Sequence, residues 1–182
     1  MKKAYLFLAY GFEETEALTT VDLLRRAGIQ AITVSATNSN MVTGAHAIPV
    51  VADIKLDETC FSNGDAVILP GGQPGVDNLK ACERIIKIIE AAYEKGKIIG
   101  AICAAPMILG ELGILKGRKA TSYPGCLDAA CGADISEDKV CVDENIVTSR
   151  GVGTAIDFAL ELIKMMEGAE KADEVRKSIL AD

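Results

Sequence analysis

The sequence predicts an α/β fold, a mostly parallel central sheet with helices packed on both faces. Short apolar runs such as AYLFLA and DAVIL alternate along the chain with longer segments of helical apolar spacing. Several of those runs are apolar at consecutive positions, which fits strands buried on both faces of a sheet. A third pattern locates the chemistry. In KIIGAICAAPMIL, residues 97–109, an apolar strand runs into a cysteine and at once into a small-residue, helix-like stretch. Ligands of parallel sheets bind beyond the carboxyl ends of the strands, and Cys103 stands at such an end.

Taken in order, residues 3–9 read as the first strand and residues 15–27 as an amphipathic helix stopped by Gly28 at the cap position. The β-branched AITVSA, residues 31–36, reads as the next strand. Residues 41–53 hold a Thr43-Gly44 turn between apolar stretches and read as a hairpin excursion. Residues 65–69 form a buried strand that ends in the loop PGGQPG, followed by a helix over residues 76–94 with a break near Ala81. Residues 97–102 are a strand, 104–112 a helix and 119–122 a short strand. A helical stretch near Cys126, a hairpin of residues 139–142 with 146–149, a helix over 154–167 and a last helix over 170–179 complete the pattern. No linker, low-complexity tract or internal repeat divides the 182 residues, so they read as one domain with one substantial core.

Charge excludes some partners. With 19 basic and 26 acidic residues the net charge is −7, and an acidic surface repels phosphate backbones, which disfavours nucleic acid as a stable partner. MKKAYLFLAY looks briefly like a signal peptide, but it meets Gly11 and the acidic GFEETE without a cleavage pattern. No apolar run approaches the roughly 20 residues of a membrane helix, and a cytoplasmic location is expected. The six cysteines show no C-x-x-C spacing and there is a single histidine, so no metal is expected and the thiols are taken as reduced.

Cys103 reads as the residue of a nucleophile elbow. Such a residue sits in a sharp strand-to-helix turn and needs small neighbours two before and two after it, here Ala101 and Ala105. A helix N-terminus favours a thiolate, so a thiol pKa below the usual ~8.5 is expected. The alternative is a small core hydrophobe. Gly71 and Gly72 end the preceding core strand, where glycines let backbone N–H groups turn toward an anion; with the N–H of Ala104 they would make an oxyanion hole, or else form an ordinary tight turn. GFEETEA puts three carboxylates at the same edge. Glu13 and Glu14 need only a helix N-terminus to explain them, whereas one carboxylate turned inward beside the sulfur would be pushed to its protonated form. Spacing alone does not choose which.

LAYGFEETEALTTVDLLRRAGI, VILPGGQPGVDNL, GAICAAP and TSRGVGTAIDFAL together resemble the ThiJ/PfpI superfamily, in the branch of the parkinsonism-linked protein deglycase, over about residues 4–167. The resemblance implies a flavodoxin-like sandwich, a homodimer, Cys103 as nucleophile and Glu16 as its buried glutamate. It also implies Gly72 and Ala104 as the anion-hole amides and Arg26 near the pocket, where the bare sequence gives a solvated helix end. TSRGVGT reads as a structural turn, since Gly151-x-Gly153 lacks the rest of a dinucleotide fingerprint. One position departs from the pattern: where members often carry a histidine near the cysteine, TSYPGC has Tyr123. His46 matches an arginine near the dimer contact; it either reaches a neighbouring pocket or is simply exposed or packed.

The expected activity is a cofactor-independent glyoxalase or deglycase, acting on a small aldehyde such as methylglyoxal or on glycated side chains. Its rivals are a redox sensor or holdase chaperone working through oxidation of Cys103, and a peptidase or amidase, which the lack of a Cys-His pair disfavours. Cys126 or Cys131 would be the partner of an oxidised Cys103 if one exists. Cys60, Cys82 and Cys141 read as packing residues.

Overall fold

The structure is a computed structural model that describes residues 1–181, apart from the side chain of Ala129. The chain runs β1 (Lys3–Leu8), α1 (Glu14–Arg26), β2 (Gln30–Ser35), β3 (Met41–Thr43), β4 (Pro49–Val51), β5 (Ile54–Lys55), β6 (Ala66–Leu69), α2 (Gly75–Ala81), α3 (Glu83–Glu94) and β7 (Ile98–Ile102). It continues through α4 (Pro106–Glu111), β8 (Lys119–Ala120), β9 (Asp134–Ile135), β10 (Val140–Asp143), β11 (Ile146–Ser149), α5 (Ala155–Glu167) and α6 (Ala169–Ser178).

Seven strands form one sheet in the order β10-β11-β7-β6-β1-β2-β5, parallel except for β10 against β11. The period of two along β1 explains the layering. Ala4, Leu6 and Leu8 enter a core shared with α1, α5 and α6, while Tyr5, Phe7 and Ala9 enter a second core under α2, α3 and α4. Both faces of the sheet are therefore covered, as the continuous apolar runs require, and the α/β sandwich with a mostly parallel sheet is the observed fold.

Helix ends follow local chemistry. Glu13 caps α1 by accepting the N–H of Glu16 at 2.6 Å. Gly28, at φ +81°, closes its other end in a Schellman motif, with its own N–H on Arg25 O and that of Ile29 on Leu24 O. The break near Ala81 separates α2 from α3, and α3 buries Ile85, Ile89 and Ala92 at helical spacing.

Four elements depart from the sequence reading. The helical stretch expected near Cys126 is only a 3-10 turn at Ala129–Cys131, because Tyr123-Pro124-Gly125-Cys126 before it is a type II turn, with Gly125 at φ +82° and the Cys126 N–H on Tyr123 O at 3.0 Å. The strand expected over 119–122 shortens to β8 and pairs with β9 outside the main sheet. The hairpin of β3 and β4 closes through a longer loop than Thr43-Gly44, and β5 adds a two-residue sheet edge that carries no sequence signal. Among the described residues no helix is long and apolar enough to cross a membrane.

Candidate active site

The carboxyl ends of four neighbouring strands converge on one place. β7 delivers Cys103, β6 the loop starting at Pro70, β1 the turn leading into α1, and β11 the turn at Gly151. Cys103 takes φ +64°, a left-handed value that a side-chain-bearing residue adopts at a cost of about 1–3 kcal/mol. Its surroundings hold it there. The Cys103 N–H donates to Ser149 O at 2.9 Å, and its carbonyl accepts the Tyr123 N–H at 2.8 Å. The elbow anticipated from small-x-Cys-x-small is thus present, and α4 starts at Pro106, two residues later than expected, after the turn that the elbow needs.

Glu16, in the first turn of α1, is fully buried. Its Oε2 accepts the Gly71 N–H at 2.8 Å, while Oε1 makes no hydrogen bond among the described residues. A methyl group on Gly151 would stand 3.8 Å from both Cys103 Sγ and Glu16 Oε1, so this glycine walls the thiol-carboxyl couple. On the other side a Cβ on Gly71 would meet Cys103 Cβ at 2.5 Å and Glu16 Oε2 at 2.7 Å. Gly72 sits at φ +93°, and neither its N–H nor that of Ala104 donates to a backbone carbonyl among the described residues. Gly72, Ala104, Cys103, Tyr123 and Cys126 line a cleft of about 350 Å³.

Burial governs the titration of the couple. It pushes the Glu16 carboxyl up to about 7, against the lowering effect of the Gly71 N–H. It also pushes the Cys103 thiol up, and the adjacent Glu16 charge adds to this, to about 12. The couple therefore loses one proton near neutrality and holds the second far into the alkaline range. This corrects the expectation of a thiol lowered by the helix N-terminus: the Ala104 N–H does lower it, but desolvation and the carboxylate outweigh that contribution. Near neutrality the sulfur and the Glu16 carboxyl together carry a single negative charge.

The sequence pattern of the DJ-1/PfpI family, in its own description, matches residues 2–165. The chain belongs to this family. Protein DJ-1 homolog A of Arabidopsis thaliana is 39% identical over 98% of this chain, but the chain spans only 46% of that longer relative. The glutathione-independent glyoxalase DJR-1.2 of Caenorhabditis elegans is 32% identical over 92% of this chain and 89% of its own length. Among solved structures, the C103A mutant of the DJ-1 superfamily protein STM1931 from Salmonella typhimurium superposes with a TM-score of 0.94 at 36% identity, covering 99% of this chain and 98% of its own.

The DJ-1/PfpI fold brings Cys103, Glu16, Gly72, Ala104 and Tyr123 together. Two other positions stay apart. Arg26 ends α1, about 15 Å along the helix from Glu16, and its Nε binds Asp22 Oδ2 at 2.7 Å. Within the protomer it is the solvated helix end that the bare sequence gives, away from the Cys103 cleft. His46 does not line the cleft; it is exposed, with Nδ1 2.9 Å from Glu14 Oε2 and 3.8 Å from Glu13 Oε1. Glu13, Glu14 and His46 form a group whose ligand atoms lie within 4.8 Å of one another and so could hold a metal ion. Their observed work is structural, since Glu13 caps α1 and Glu14 accepts the backbone N–H of His46 at 2.8 Å.

Sequence reasoning missed two walls of the site. The sequence marks Gly151 only as a turn and Gly71 only as a possible donor, because neither close approach leaves a local pattern. Of the two cysteines considered as partners of Cys103, Cys126 lines the cleft, whereas Cys131 lies against Gly110 with its thiol on Asp128 O.

Proposed function

We propose that this chain is a cofactor-independent enzyme of the glyoxalase or deglycase type, converting methylglyoxal, or its adducts on thiols and amines, to lactate. The observation that carries the reading is the thiol-carboxyl couple with one proton to exchange, facing a small cleft beside the N–H groups of Gly72 and Ala104. The name of the Caenorhabditis elegans relative supports the same chemistry.

Sulfur attacks the aldehyde carbon as Glu16 takes the thiol proton, and the new alkoxide, held by the Gly72 and Ala104 N–H groups, receives that proton back. Glu16 then removes the hydrogen of the former aldehyde carbon and returns a proton to the neighbouring ketone carbon. The hydroxyl proton passes between the two oxygens, so one carbon is oxidised and the other reduced without an external acceptor. The product is a lactoyl thioester on Cys103. Water hydrolyses it, giving a proton through Glu16 to the departing sulfur, and releases lactate. For an amine adduct, the amine leaves at the first step.

Lactate formation from methylglyoxal without glutathione, by wild type and by Cys103→Ser, tests the proposal. Turnover by wild type alone is expected; equal turnover by a folded Cys103→Ser protein removes the cysteine mechanism.

A second reading, redox sensing with a holdase role, is favoured by the same two N–H groups, which would hold sulfinate oxygens on Cys103. Mild peroxide followed by mass mapping separates the two: addition of two oxygens to Cys103 with no aldehyde turnover supports the sensor. Peptidase chemistry ranks lowest, since Tyr123 rather than a histidine faces the cleft.

The proposed assembly is a homodimer. Met41 and Val51 face each other across β3 and β4 and are 60% and 73% exposed, with Ile48 beside them at 52%, an apolar surface suited to a second copy. A fall in molar mass on Val51→Lys, measured by light scattering, checks it.

A further inference from the structure

A second cavity, of about 240 Å³, lies at the opposite end of the sheet from Cys103. It opens where β6 and β7 begin, between the sheet, α3 and the 3-10 turn Phe61–Asn63. Phe61, Val67, Ile88 and Ala92 give it apolar walls. The Phe61 ring is itself fixed edge-on against Tyr5, with centroids 4.9 Å apart, so that wall is preformed.

Around these walls stand Arg84, Lys87, Lys95 and Lys97, and among the described residues no carboxylate lines the cavity. None of the four enters an ion pair among the described residues, although the chain as a whole carries a net charge of −7. Like charges gathered without counter-charges repel one another, and a bound anion relieves that repulsion. The apolar walls in turn exclude a fully hydrated anion as the preferred occupant, since burying them without an apolar partner gains nothing.

We propose that this cavity is a second binding site, taking a small amphiphilic anion: a carboxylate carried on an apolar or aromatic body. The body fills the space between Phe61 and α3, and the carboxylate meets the exposed lysines and Arg84 at the rim. The site is separate from the thiol-carboxyl couple and stands or falls independently of the proposed activity.

Cys60, exposed on the same rim, supplies the reporter. Its thiol is lowered, first by its hydrogen bond to Ser62 at 3.2 Å and further by Lys95 and Arg84, and its exposure opens it to an alkylating probe.

The experiment follows iodoacetamide labelling of Cys60 by peptide mass in the presence of 3-phenylpropionate, its amide or inorganic phosphate, with calorimetry of the same three probes. The acid at about 10 mM is expected to slow Cys60 labelling at least about threefold while Cys103 labelling is unchanged, corresponding to millimolar binding. The amide and phosphate should not protect. The double variant K87Q/K95Q, whose native lysine side chains make no hydrogen bond or ion pair among the described residues, should lose the protection, and so should Ala91→Leu, which fills the cavity. Absence of both protection and heat with the acid overturns the proposal. So does equal binding of the amide or of phosphate, or protection that survives in K87Q/K95Q.

Discussion

Gly71 donates its N–H to Glu16 Oε2 at 2.8 Å and passes so close to Cys103 that a Cβ at residue 71 would stand 2.5 Å from the Cys103 Cβ. One backbone unit therefore spaces both members of the couple. Gly71→Ala has no room on either side, because its neighbours are a strained elbow and a buried carboxyl. Turnover is expected to fall at least about tenfold, since sub-ångström misplacement of reacting groups is costly, with a stability loss of about 1–3 kcal/mol. Lactate assays and urea unfolding read the two effects; unchanged turnover in this variant would show that the gap does not set the geometry.

Glu16 makes stability depend on pH in an unusual direction for a carboxyl. Its folded value is raised from 4.5 to about 7 by burial, so the native state prefers the protonated form. The stability tied to this preference is full below the unfolded value near 4.5 and is lost as pH rises through about 7. Glu16→Gln removes the titration. Relative to wild type, the variant should gain on the order of 2–3 kcal/mol between about pH 5 and pH 8. Urea unfolding at several pH values measures this; a difference that stays flat with pH would contradict the raised carboxyl.

The same couple sets a pH dependence for the reaction. Turnover needs one proton removed from the thiol-carboxyl pair, so kcat/KM for methylglyoxal should rise with pH through about 7 and then level off. Glu16→Gln leaves a buried thiol with no neighbouring base. Its turnover should drop by about 100-fold or more, and the rise should move to higher pH. Initial rates across the neutral range separate this from a thiol that ionises alone, whose profile would survive the substitution.

The layering of the fold was legible because it rests on local periodicity. β1 alternates its side chains between two cores, and α3 repeats its isoleucines at helical spacing, so each element carries its own pattern. Gly28 likewise announced the end of α1. The elbow was legible for a different reason: small residues on both sides of Cys103 are a short-range steric requirement. Residues 123–126 mislead because their Pro-Gly turn confines the helical stretch to the 3-10 turn at Ala129–Cys131, and β8 because a two-residue pairing with β9 depends on distant chain. Within the site, Gly71 and Gly151 matter through what they touch across the sheet edge, and no spacing in the sequence encodes that. For Arg26 the resemblance supplies a position near a pocket, while among the described residues its ion-pair partner is Asp22.

Glu14 gives the last prediction. Its carboxylate is almost wholly buried and accepts the backbone N–H groups of His46 at 2.8 Å and Ile48 at 3.4 Å, together with His46 Nδ1 at 2.9 Å. It thereby ties the loop between β3 and β4 to the first turn of α1, the turn that carries Glu16. Gly44 makes the approach possible, since a Cβ there would collide with the Glu14 carboxyl. Burial pushes the Glu14 carboxyl up, but the hydrogen bonds from His46 and Ile48 outweigh it and leave the value lowered. The stability that depends on this ionisation is therefore present above the unfolded value of 4.5 and lost as pH falls through the lowered one. Glu14→Ala leaves buried N–H groups without an acceptor and should cost about 2–4 kcal/mol at neutral pH. The gap from wild type should narrow in acid. His46→Ala, which removes only the exposed ring and keeps the backbone donors, should cost much less. Paired unfolding curves for the two variants test the assignment: if the histidine variant loses as much stability as the glutamate variant, the clamp is the ion pair and not the backbone of the hairpin.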